Sequence, residues 1–103
     1  MNDLKKLVEK LKPLNPEKII LFGSAAKGKI RQDSDIDVLI VKRTKKSPAE
    51  RVAEVLKAVW GNIPNVEPQV LTPSEFYQAV TENRFFITQE VLKYGKIIYE
   101  KTN

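Results

Sequence analysis

The sequence predicts an α/β domain in which helices alternate with the strands of one small sheet. Three observations predict it. Two apolar, strand-like runs, residues 18–22 and 35–41, are separated by a short polar stretch. A leading segment carries Leu4, Leu7, Val8 and Leu11 at helical spacing. Two further segments, Ser47-Pro48-Ala49-Glu50 and Thr72-Pro73-Ser74-Glu75, share one helix-starting grammar: a hydroxyl N-cap, proline at the first helical position and Glu three residues after the cap.

The elements follow in order. The first helix spans residues 3–12 and is stopped by Pro13. The strand at 18–22 runs into Gly23-Ser24, and Ser24 opens a short helix reaching Lys29, with Gly28 allowing a second sharp turn. Residues 31–34 are a polar loop delivering the chain to the second strand. The helix after Ser47 buries Val52, Val55, Leu56 and Val59 or Trp60, and Gly61 caps it. Residues 65–71 form a third strand, which Pro68 confines to an edge or a bulge. The helix after Thr72 is followed by another through Phe86, Val91 and Leu92 that closes at Gly95, and Ile97-Ile98-Tyr99 is a terminal strand or an extended tail. Trp60, Phe76, Phe85, Phe86 and Tyr94 read as core or interface.

Composition narrows the chemistry. A chain of 103 residues is expected to form one domain with one core, spanning residues 1–103. It has no apolar run of the roughly 18 residues a membrane span needs, and its charged start is unlike an apolar signal region, so a cytoplasmic location is expected. With no cysteine and no histidine, disulfides, thiolate nucleophiles, Cys-type zinc sites and His-based triads are excluded. Any catalysis falls to carboxylates, metal ions, lysines and hydroxyls. The net charge is +5, with one dense run at Lys42-Arg43-Thr44-Lys45-Lys46. That run reads either as a solvated loop or as an electrostatic funnel for a polyanion.

The chemistry concentrates at Gly23-Ser24 and at Asp35-Ile36-Asp37. Residues two apart on a strand face the same way, so Asp35 and Asp37 project together. Asp37 lies inside an apolar run, where an unpaired carboxylate is costly unless it is paired or meets a metal. A glycine leaving a strand lets a phosphate approach the backbone, the hydroxyl of Ser24 adds a donor, and Lys27 supplies a point charge. Hard oxygen donors beside a phosphate-sized niche indicate Mg²⁺ and a nucleoside triphosphate. Gly23 to Lys29 also satisfies the start of a P-loop, G-x-x-x-x-G-K. Ile30, however, stands where the metal-binding Ser or Thr should be, so that reading is set aside.

The segment Leu21-Phe22-Gly23-Ser24-Ala25-Ala26-Lys27-Gly28, followed by Asp33-Ser34-Asp35-Ile36-Asp37-Val38-Leu39-Ile40, is similar to the signature of the polymerase-beta-type nucleotidyltransferase superfamily. More narrowly, it resembles the small MNT (minimal nucleotidyltransferase) proteins. Weaker agreement extends to Val70-Leu71-Thr72-Pro73-Ser74-Glu75-Phe76 and to the closing Gly95-Lys96-Ile97-Ile98-Tyr99-Glu100. The resemblance implies a small mixed sheet flanked by helices and Mg²⁺-dependent transfer of AMP from ATP to a hydroxyl, with two ions. It implies that Gly23 and Ser24 hold phosphates, with Lys27 where the family often has arginine. Asp35 and Asp37 become metal ligands. The third carboxylate, usually Asp on a later strand, falls on Glu67 in Val66-Glu67-Pro68-Gln69-Val70.

The resemblance further implies a HEPN-domain partner in a toxin–antitoxin pair, with AMP added to a tyrosine of the HEPN ribonuclease. The alternative carried beside it is a non-catalytic module that neutralises such a partner by binding alone. Transfer to a small molecule is a third option. A template-directed polymerase is not expected, because nothing remains to hold template and primer.

Overall fold

A computed structural model describes residues 2–27, 35–84 and 86–102, without the side chains of Asn2 and Phe86. The turn expected at Gly28, the P-loop test residue Ile30, the loop at 31–34 and the expected packing of Phe85 lie outside the described residues, as does the side-chain packing of Phe86. Helix α1 (Asn2–Leu11) passes through a 3₁₀ turn into strand β1 (Lys18–Leu21) and the one-turn helix α2 (Gly23–Ala26). Strand β2 (Ile36–Val41), helix α3 (Pro48–Val59) and strand β3 (Val66–Leu71) follow. Helix α4 (Pro73–Thr81), the π-helix α5 (Phe86–Lys93) and strand β4 (Lys96–Glu100) complete the order.

The four strands form one mixed sheet in the order β3-β2-β1-β4. β1 runs antiparallel to β2 and β4, while β2 and β3 are parallel, joined over α3. Pro68 accordingly sits on an edge strand, where its missing N–H costs least. Strand parity divides the core in two. On one face Leu7 and Leu11 of α1 and Val55 and Val59 of α3 pack against Ile19, Leu21, Val38 and Ile40. On the other, Ala79 of α4 and Ile87 and Val91 of α5 pack against Ile20, Phe22, Leu39 and Val41.

Both capping boxes form. The hydroxyls of Ser47 and Thr72 accept from the backbone N–H groups of Glu50 and Glu75, whose carboxylates accept in return from the N–H groups of the two caps.

Helix α3 is rotated from the expected face. Arg51, Val55 and Val59 are buried, whereas Leu56 is exposed and Trp60 is 82% exposed at the helix end. Arg51 can be buried because its guanidinium is satisfied: it donates to the carbonyls of Lys46 and Val70 and to Glu75 at 2.7 Å. The final helix keeps its place but is wound as a π-helix, and Ile97-Ile98-Tyr99 is a true strand.

The basic run is largely structural. Lys42 is buried and paired with Glu54 at 2.8 Å, Lys46 pairs with the same carboxylate, and Arg43 pairs with Glu17. It follows the exit of β2, whereas Asp35 precedes its entry, so the strand's length separates them.

Candidate active site

Topology gathers the site. Because β1 and β2 are antiparallel, the exit of β1 lies beside the entry of β2; because β2 and β3 are parallel, their entries coincide. Gly23, Asp35, Asp37 and Glu67 therefore meet at one end of the sheet. The N–H of Phe22 donates to the carbonyl of Asp37 at 3.1 Å, fixing the register where β1 gives way to α2. Asn65 has a left-handed backbone (φ 61°), and its carbonyl accepts from the N–H of Ile36 at 2.7 Å. This seats β3 so that Glu67 stands directly across from Asp37.

Gly23 is required on two counts. Its φ is +66°, and a Cβ there would stand 2.5 Å from Oδ2 of Asp37. The turn that starts α2 thus presses its backbone onto the aspartate. Ser24 is exposed in that turn, and Lys27 closes it, with its ammonium 5.4 Å from the ring centroid of Tyr94. That contact was invisible in the sequence, since it joins segments far apart in the chain.

In β2 every residue is buried except Asp37, which is half-buried. Asp35 and Glu67 are exposed, and Glu67 shares its strand face with the exposed Gln69. The three carboxylates act on one another. Burial raises the Asp37 carboxyl above its ordinary value, a hydrogen bond with Glu67 opposes the rise, and the charge of Asp35 adds to it. Glu67 is raised by the charge of Asp35 first, then by desolvation and its contacts with Asp37 and Asp35. The two carboxyls act on each other, so their titration belongs to the pair.

The structure thus brings together Gly23, Asp37 and Glu67 in contact, with Asp35 within electrostatic reach and Ser24 and Lys27 on the adjoining turn. Among the described residues no three acidic groups already close around a single cation position. What the site offers is a cluster of hard oxygen donors whose mutual repulsion a hard cation would relieve.

The nucleotidyltransferase domain of the polymerase beta family matches residues 2–103. No curated protein sequence matches the chain. Among solved structures, a candidate nucleotidyltransferase from Sulfolobus solfataricus is similar at 26% identity and a TM-score of 0.63, over 97% of this chain and 82% of that one. A chain of a toxin–antitoxin structure with AMP-PNP shares the fold at 19% identity and a TM-score of 0.54, over 99% of this chain and 76% of that one. Among the described residues no helix is long and apolar enough to cross a membrane.

Proposed function

The chain belongs to the polymerase beta nucleotidyltransferase family, and on that premise we propose that it transfers AMP from ATP to a protein hydroxyl, a tyrosine of a HEPN-type ribonuclease toxin that it restrains in the cytoplasm. The observation that supports this reading is the Gly23 turn pressed against Asp37, with Asp35 and Glu67 beside it. In the proposed reaction the acceptor oxygen bonds to the α-phosphorus, the bond from that phosphorus to the bridging oxygen breaks, and pyrophosphate leaves with the electron pair. The turn at Gly23 and Ser24 orients the outer phosphates, and Lys27 adds charge to them. Asp35, Asp37 and Glu67 would hold Mg²⁺, two ions in this reading, which when bound supplies charge neutralisation at the triphosphate. In this reading Glu67, exposed on the edge strand, takes the proton of the acceptor hydroxyl.

The toxin–antitoxin setting and the AMP-PNP belong to the neighbouring structure; here they guide the choice of partner and probe. The test is incubation with ATP labelled on the α-phosphate, Mg²⁺ and a HEPN protein encoded beside this chain. Label should appear on a tyrosine of the partner and be lost with Asp35→Asn/Asp37→Asn. A second reading, a module that binds without chemistry, is favoured by the exposed Trp60 and Leu56 at the rim of an apolar hollow. It predicts no label and equal neutralisation of the toxin by that double variant.

A further inference from the structure

Beside the carboxylates, the same sheet end brings a second lysine, Lys93, to the ring that Lys27 touches, and the proposed chemistry has not used it. β4 runs antiparallel to β1, and Lys96 is paired with Leu21, so the chain entering β4 passes the chain leaving β1. The passage is tight. A Cβ on Gly95 would stand 3.0 Å from both the carbonyl of Leu21 and Cγ2 of Ile20, and it would collide with the carbonyl of Val91. The segment Lys93-Tyr94-Gly95 is therefore fixed next to the turn at Gly23.

Tyr94 is half-exposed, and two ammonium groups lie on its ring. Lys27, from the end of α2, and Lys93, from the end of α5, are each 5.4 Å from the ring centroid. Among the described residues neither lysine is ion-paired with a carboxylate, in contrast to Lys18, Lys42, Lys46 and Arg51. Two like charges drawn to one aromatic ring repel each other, and a bound anion relieves that repulsion. In the sheet order the carboxylates belong to the entries of β2 and β3, on one side of β1, and Tyr94 to the entry of β4, on the other.

We propose that Lys93 is a second phosphate-binding residue of the nucleotide site, working with Lys27, and that Tyr94 is the positioning residue that keeps both ammonium groups there. The proposal rests on the nucleotidyltransferase reading and adds the residues that grip the tail of the triphosphate. The ligand chemistry is a polyphosphate, with recognition independent of the base.

Calorimetry with AMP-PNP, with inorganic tripolyphosphate and with adenosine tests it on the intact chain. Lys93→Ala should weaken AMP-PNP and tripolyphosphate by about tenfold, the effect of losing one charge-assisted contact. Adenosine binding should be unchanged, and the salt dependence shallower. Tyr94→Phe keeps the ring and should bind as wild type. Tyr94→Leu should lose as much as Lys93→Ala at an unaltered melting temperature, and Lys93→Arg should restore binding. If wild type binds AMP-PNP and tripolyphosphate while Lys93→Ala binds them equally well, Lys93 is a surface lysine and this proposal alone fails. If wild type binds neither polyphosphate, with or without Mg²⁺, the nucleotide reading fails and carries this proposal with it.

Discussion

The α-carbon of Gly23 faces the carboxylate of Asp37 so closely that a methyl group there would stand 2.5 Å from Oδ2. The phosphate turn and the acidic strand are thus one packed unit, which explains why a glycine at this position and an aspartate within an apolar strand belong to the same sequence pattern. Gly23→Ala would force a left-handed backbone on a residue with a Cβ, costing about 1–2 kcal/mol, and would push the Asp37 side chain out of its cluster. Urea denaturation should show that loss, and AMP-PNP binding should fall further than the stability change accounts for.

The Asp37–Glu67 pair predicts a pH dependence. Both carboxyls are raised above the ordinary values of 3.8 and 4.5, so between those values and the raised ones the folded protein binds more protons than the unfolded chain. Their contribution to stability is therefore complete below the ordinary values and is lost as pH rises through the raised ones. Mg²⁺ that competes with protons for these raised carboxyls should raise the melting temperature at pH 7 and much less at pH 4. Asp37→Asn should stabilise the metal-free protein near neutrality and remove the Mg²⁺ response, while lowering transfer activity by about a thousandfold. A melting temperature that responds to Mg²⁺ equally in wild type and Asp37→Asn would contradict this.

Much of this arrangement was legible in the sequence, because it is written in local chemistry. The capping boxes at Ser47 and Thr72 and the edge position of Pro68 each follow from a few neighbouring residues, whereas β2 starts at Ile36 and leaves Asp35 just ahead of the strand it is expected to open. The rotation of α3 was not legible. Burying Arg51 in preference to Leu56 depends on Glu75 and on the carbonyls of Lys46 and Val70, which only the folded chain assembles. The basic run was ambiguous for the same reason: Glu54 and Glu17, which pair with it, are distant in sequence. The contact between Lys27 and Tyr94 requires β4 to lie beside β1, and sheet order leaves no local trace.

Arg51 is the structural tie between α3 and α4, and it predicts a stability effect remote from the site. Glu75 accepts both the Thr72 N–H and the Arg51 guanidinium, which with the cap hold its carboxyl below the ordinary 4.5. Arg51→Ala strands the buried carbonyl of Val70 and should cost about 2–3 kcal/mol in urea denaturation. For Glu75 the sign is opposite to that of the acidic cluster. Its contribution is present above its ordinary value and is lost as pH falls through the lowered one, so Glu75→Gln should flatten the acid side of the stability profile.

Glu67 stands where the family resemblance implies an Asp, and in the proposed reaction the longer side chain takes over that role. It is exposed on an edge strand, directly across from Asp37, and Pro68 beside it restricts the backbone. Exposed on that edge, the longer side chain still brings its carboxyl within reach of Asp37, which contributes to raising it. Glu67→Asp should keep transfer activity within about tenfold of wild type. Glu67→Gln keeps the shape but cannot take a proton, and should lower kcat by about 10²–10³-fold with a smaller effect on KM for ATP. It should also remove the limb of the pH–rate profile that follows the raised carboxyl. Full activity in Glu67→Gln, with that limb intact, would move the proton-accepting role to Asp35 or Asp37 and leave Glu67 as a spectator on the edge of the sheet.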